Sequence, residues 1–159
     1  MKFKKIGKLA MILVAGVTLT TALTGCSDDD DSSEQSSQVS HKKKLTKKQR
    51  INKEVKREQK NYKGDAKVAY NKEWNAITIT PTSNDFTDSV NAALNDGEGE
   101  SQDWKKLTES FKTLSTTVLE NTEVADISVA LVNPDSPDKV LYSAQDGKTT
   151  YDLAKDGNK

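Results

Sequence analysis

Residues 104–118 read WKKLTESFKTLSTTV, in which the apolar side chains Trp104, Leu107, Phe111, Leu114 and Val118 recur at alternating spacings of three and four. That is the repeat of one face of an α-helix, and it runs without glycine or proline through lysines, threonines, serines and a glutamate on the other side. On either side of this helix the apolar period changes to two. Upstream, Val68 and Tyr70, then Ile77 and Ile79, alternate with polar neighbours across a turn at Lys72–Asn75, which predicts a β-hairpin ended by Pro81. Asn84 and Asp85 are candidate N-caps for a shorter helix carrying Phe86, Val90, Ala93 and Leu94, stopped at Asn95-Asp96-Gly97. Downstream, Ile127, Val129 and Leu131 alternate with Ser128, Ala130 and Val132. A loop at Asn133–Pro137 follows, then Val140, Tyr142 and Ala144 alternate before Asp146-Gly147, and Thr149–Leu153 can add a last short strand.

Strands grouped on both sides of a helical pair predict an α+β fold: a small two-layer sandwich of order ββααββ, with an antiparallel sheet of 4–5 strands and two helices on one face. The other face of the sheet is expected to meet solvent, and that face and the loops are where a ligand can be held. Trp104 belongs to the helical stripe and so to the core, and Tyr142 and Tyr151 belong to the sheet. Trp74, in the turn between Glu73 and Asn75, is the candidate ligand contact.

Charge divides the chain of 159 residues further, because a formal net charge of zero hides opposite segments. Residues 1–25 carry +4, 26–40 carry −5, 41–64 carry +9 and 65–159 carry −8. An acidic head of this kind is poorly suited to nucleic acid, where affinity comes mostly from neutralised phosphates. The basic arm, 42–64, consists of good helix formers and is a candidate helix, although Leu45, Ile51 and Val55, its only purely aliphatic side chains, make a stripe too thin for an autonomous one. Two readings stay open for it. Either Lys42, Lys43, Lys44, Lys47, Lys48 and Arg50 contact anionic lipid or wall polymer, or the arm is a solvated spacer kept extended by like charges.

The N-terminus carries the most specific motif. Lys2, Lys4, Lys5 and Lys8 form a positive region, Leu9–Leu23 an apolar run of about 15 residues, short for a bilayer span of about 20, and the run ends in Leu23-Thr24-Gly25-Cys26. This resembles the lipobox of bacterial lipoprotein signal peptides: a branched apolar residue, a small residue, Gly or Ala, then Cys. The resemblance covers residues 1–26. It implies diacylglyceryl transfer to the Cys26 thiol and cleavage before it, hence a mature protein lipid-anchored at the extracytoplasmic face of the cell membrane. Residues 26–41, almost wholly Ser, Asp, Glu and Gln, read as a disordered acidic tether, and 65–159 as the head domain. The layout as a whole resembles small surface lipoproteins of Gram-positive bacteria, some acting in superinfection exclusion.

The residue inventory excludes much chemistry. Cys26 is the only cysteine and His41 the only histidine, so the head has no disulfide, no Ser/His/Asp triad and no Cys/His metal cage. Asp96-Gly97-Glu98-Gly99-Glu100 fails as an EF-hand, since the sixth and twelfth positions are Ser101 and Leu107, and fails as a phosphate loop for want of a following Gly-Lys-Ser or Gly-Lys-Thr. The expected function is therefore a non-enzymatic binding module for a protein or wall component, without metal or cofactor. The alternative is an exclusion role such as blocking phage entry.

Overall fold

The computed structural model of the chain describes residues 44–95 and 101–157. The expected signal peptide, the lipobox-like Leu23-Thr24-Gly25-Cys26, the expected tether with His41, the first two lysines of the basic arm, Lys42 and Lys43, and the segment Asp96–Glu100 lie outside the described residues.

The fold begins earlier than the alternation of residues suggests. Thr46 opens helix α1 (Lys47–Asn61) with a capping box: its hydroxyl accepts from the Gln49 amide at 3.3 Å and the Gln49 side chain accepts from the Thr46 amide at 2.9 Å. The inward face of α1 is Ile51, Glu54, Val55 and Glu58, continued by Tyr62 just past the helix, and all five are buried. The basic arm is thus helical over most of its length and part of the head's own core, packed on the first strand and on the long helix. An extended spacer is ruled out for Lys47–Asn61, which packs as a helix on the core ahead of residue 65. The thin aliphatic stripe misleads because two carboxylates and a tyrosine complete it, and tertiary packing supplies what a short charged helix lacks alone.

The hairpin of β1 (Ala66–Asn71) and β2 (Ala76–Pro81) pairs Val68 with Ile79 and Tyr70 with Ile77, across the expected turn. Helix α2 (Asn84–Asn95) follows; Asn84 and Asp85 are its first residues, and the capping hydroxyl is that of Ser83, which accepts from the Phe86 amide at 3.3 Å. Helix α3 (Gln102–Thr122) starts at Ser101, whose hydroxyl accepts from the Trp104 amide at 3.0 Å and donates to the Ala93 carbonyl at 2.8 Å, tying the two helices together. Strands β3 (Ser128–Asn133), β4 (Ser136–Gln145) and β5 (Lys148–Asp152) complete the sheet before a short α4 (Leu153–Asp156). Asp146 and Gly147, both at positive φ (49° and 71°), make the two-residue turn between β4 and β5, a conformation glycine adopts freely.

The α+β class holds, but the described elements run αββααβββα in place of the expected ββααββ, and the sheet is not antiparallel throughout. Its five strands lie in sequence order β1-β2-β3-β4-β5 with β2 parallel to β3, and all other pairs antiparallel. A helical hairpin spanning the sheet twice would have returned the chain to where β2 ends. Instead α2 packs chiefly on α3, with its Phe86 ring stacked on Tyr62 at 6.4 Å, and α3 alone makes the traverse. At about 1.5 Å per residue its 21 residues cover the length of a strand and bring β3 in beside β2 in the same direction.

The core lies between this sheet and α1 and α3. Val68, Ile77, Ile79, Val129, Leu131, Tyr142 and Ala144 meet Ile51, Val55, Trp104, Phe111, Leu114 and Val118. Tyr142 stands edge-on to both Trp104 and Phe111, with centroids 6.3 and 6.2 Å away. The second sheet face departs from expectation. Its centre, Ala76, Thr78, Ala130 and Val132, is nearly inaccessible, at 2–8% of full exposure. These small side chains offer a ligand little to grip, so the usable part of that face is its β4–β5 flank.

Candidate functional site

Three places hold polar side chains in unusual numbers, and they differ in what they can do. The first is inside. On α1, Glu54 and Glu58 point to the core one turn apart, and Arg57 binds both: Nη2 donates to Glu54 Oε1 at 2.6 Å, and Nε to Glu58 Oε1 at 3.1 Å. Asn121 of α3 donates to Glu54 at 3.3 Å and Asn61 to Glu58 at 3.1 Å. Arg57 and Glu58, adjacent in sequence, do not share a helix face, yet the long guanidinium stem curls back to reach both acids. Burial raises the Glu54 carboxyl above its ordinary range, against the opposing pull of Arg57 and the Asn121 hydrogen bond. Burial, helped by the Glu58 charge, likewise raises the Tyr62 phenol. Paired carboxylates can serve as general acid and base, but only where a substrate reaches them. Here both are sealed, at 4% and 2% exposure, with protein donors on their oxygens, so the arrangement locks α1 to α3.

The second place is also interior. Trp104 Nε1 donates to Asp152 Oδ1 at 3.0 Å, and the same carboxylate oxygen accepts from the Ala154 amide at 3.2 Å as the cap of α4. Asp152 is 3% exposed and ends β5. It fixes the start of α3 to the last strand. Among the described residues no group of three or more His, Cys, Asp or Glu is placed to hold a metal ion.

The third place is open. β4 is ten residues long, but β5 pairs only with Tyr142–Gln145, so among the described residues no strand pairs with the outer side of Ser136–Leu141, and the short α4 packs beside β4. A shallow groove of about 390 Å³ lies at this step, lined by Asn133, Lys139, Val140, Leu141, Ser143, Tyr151 and Leu153. Its floor is apolar, and a cation, an amide, a hydroxyl and a phenol surround it. A small-molecule site encloses most of its ligand. This groove does not; its shape suits an extended chain lying along the unpaired edge of β4.

The residues singled out from the sequence are dispersed. Trp74 sits in the β1–β2 turn as expected but is half-buried, not a free aromatic. Its amide donates to Asn71 Oδ1 at 3.1 Å, and Asn75, at φ 46°, accepts from the Tyr70 hydroxyl at 2.5 Å while its side-chain amide donates to the Asp126 carbonyl. That braced turn is a structural corner. Lys47 pairs with Asp126 at 3.0 Å, and its hydrogen bond holds the Asp126 carboxyl below the usual range. Arg50 pairs with Glu123 at 2.9 Å. Lys44 and Lys48 are exposed. The basic residues named from the sequence are thereby divided between bracing and solvent.

Tyr142, read as a sheet residue, is buried among the aromatics, whereas Tyr151, read the same way, borders the groove. The groove itself went unrecognised, because it depends on one strand outlasting its neighbour. Pro137 near the start of β4 is the one local sign of an unpaired edge. The chain matches no protein-family model, and comparison with curated proteins and with solved structures gives no match either.

Proposed function

We propose that this chain is an extracytoplasmic lipoprotein, held to the outer face of the cell membrane by a diacylglyceryl group on Cys26, and that its head is a non-enzymatic binding module. The observation that carries the anchor is the placement of the only cysteine, directly after Leu23-Thr24-Gly25 at the end of a lysine-led apolar run. Two acyl chains on that thiol give stable attachment where one gives marginal binding. For the head, the buried carboxylates are engaged with Arg57, Asn61, Asn121, Trp104 and backbone amides, which supports a structural use of them. The groove at the β4 edge supports recognition of an extended polypeptide segment, from a wall-associated or incoming protein.

Mass spectrometry of the protein from a bacterial host tests the anchor: a Cys26 N-terminus carrying diacylglycerol is expected, and an unmodified thiol preceded by residues 1–25 overturns it. For the head, capture of a partner by the membrane-held protein is expected to be lost in Lys139→Glu and Tyr151→Ala, an exposed and a partly exposed groove residue. Capture that survives both removes the groove. A partner found in phage lysate and not in envelope extract assigns the exclusion role.

A further inference from the structure

We propose that the outer face of α1 is a docking surface for an anionic lipid bilayer, centred on Lys53, Lys56 and Lys60 with Lys63 just past its C-terminal end. The helix sorts its charges by side. Its two acids, Glu54 and Glu58, are both turned into the core, while at about 100° per residue Lys53, Lys56 and Lys60 fall on the face opposite Ile51, Val55 and Glu58. All four lysines are exposed, and none forms an ion pair with a carboxylate among the described residues. The basic residues that do, Lys47, Arg50 and Arg57, lie to the sides and brace the fold. On α3, by contrast, the exposed acids Asp103 and Glu109 are paired with Lys106 and Lys112. One face therefore carries uncompensated positive charge in a head that is otherwise acidic.

A bilayer is the occupant this face fits. A 15-residue helix is a straight rod about 22 Å long, and a row of lysines along it suits a flat, evenly charged surface. Each lysine close to such a surface contributes about fivefold to partitioning, screened by salt. Cys26 is 21 residues before Lys47, at most about 70 Å of chain, so an anchor there keeps α1 within reach, although the contact itself requires charge alone. Exposed acids elsewhere in the helix layer, Asp85, Asp88, Asp103, Glu109 and Glu120, are repelled by the same surface. The head accordingly tilts to rest on α1. Because α1 packs on β1 in the helix layer, the groove on the β4–β5 flank of the opposite sheet face lies about three to four strand spacings, ~14–19 Å, away, and points outward.

Lysine footprinting of the full-length chain on vesicles tests this. At low salt on phosphatidylcholine vesicles containing 30% phosphatidylglycerol, acetylation of Lys53, Lys56 and Lys60 is expected to slow about fivefold or more relative to pure phosphatidylcholine. The effect is expected to vanish in 0.5 M NaCl, with Lys139 and Lys148 unchanged throughout. In Lys53→Gln/Lys56→Gln/Lys60→Gln, whose solvent-facing changes leave the fold intact by circular dichroism, Lys63 is expected to lose its protection. Equal protection on both vesicle types, protection of every lysine alike, or none at all overturns the proposal. So does equal protection by soluble polyphosphate at matched phosphate concentration, which assigns the face to free polyanions. Acylation of Cys26 is read separately by mass, so failure of the anchor and failure of this contact are distinct results.

Discussion

Helices α1 and α3 lie side by side over one sheet and bury comparable faces, yet they are built from opposite materials. The inward face of α3 is Trp104, Phe111, Leu114 and Val118, with Thr108, Ser115 and Thr122 filling between them. That of α1 alternates Ile51 and Val55 with Glu54 and Glu58. On α3 the stabilising quantity is apolar area removed from water; on α1 much of that face is carboxylate, whose desolvation is offset by one arginine and two asparagines. The difference teaches that a helix can take its place in a small core by satisfying buried charge as well as by avoiding it, and that the two solutions should fail differently.

The largest effect is expected on α3. Trp104→Ala removes an indole that is 1% exposed and costs about 4 kcal/mol, in addition to taking one of the donors from Asp152, which keeps the Ala154 amide. For a domain with about 5–15 kcal/mol in total this leaves little folded protein, which urea unfolding and loss of near-ultraviolet circular dichroism will register. Trp104→Phe separates the two contributions. It keeps most of the apolar volume and forfeits only the hydrogen bond, at about 1–2 kcal/mol.

Next in size is the clamp on α1. Arg57→Met leaves Glu54 and Glu58 one turn apart with no cation between them, and a cost of about 2 kcal/mol is expected, below that of a fully buried pair because the guanidinium is 40% exposed. The comparison is sharpened by Glu54→Gln/Glu58→Gln in the Arg57→Met background, which should recover most of the loss, since the penalty lies in orphaned charge. If the triple variant is no more stable than Arg57→Met in urea titration, α1 is held by packing like α3, and the contrast is wrong.

A smaller effect tests the middle of α3, where the β4–β5 turn rests. The Gly147 amide donates to Ser115 Oγ at 2.9 Å, its φ is +71°, and a Cβ there would stand 2.9 Å from Thr116 Oγ1. Gly147→Ala is expected to cost about 1 kcal/mol, chiefly for the left-handed backbone, with the Thr116 side chain moving aside. Thr116→Ala in the same background relieves the contact but not the strain, so a full recovery in thermal melts would contradict this account.

How much of this was legible follows the same division. The spacing from Trp104 to Val118 revealed α3, and the alternation in 68–79 and 127–144 revealed the strands, because each buries aliphatic or aromatic side chains at the period of its backbone. The inward face of α1 has the same helical spacing, but two of its members are glutamates, so a search for apolar side chains finds only Ile51 and Val55. The parallel pairing of β2 with β3 depends on where α2 packs, and the groove on how far β4 outruns β5; both are tertiary quantities, and only the second has a local sign, Pro137. The braced state of the Trp74 turn depends on Asp126, 52 residues away.

The smallest expected effect concerns pH, and its sign distinguishes the two helices most directly. Burial is the dominant influence on Glu54 and raises its folded-state pKa, with Arg57 and Asn121 opposing it, so the net shift is a partly cancelled one. A carboxyl raised in the folded state binds its proton more tightly there than in the unfolded chain. Its contribution is therefore unfavourable above the raised value, recovers as pH falls through that value, and is fully recovered below the ordinary glutamate value of 4.5. The difference in melting temperature between the native chain and Glu54→Gln should accordingly shift in favour of the native chain as pH drops from 7 towards 4.5. Trp104→Phe, measured over the same range, should show no such drift from this group. A Glu54→Gln difference that is flat with pH, or that moves the other way, would mean Arg57 outweighs burial and the α1 acids are stabilised as ions.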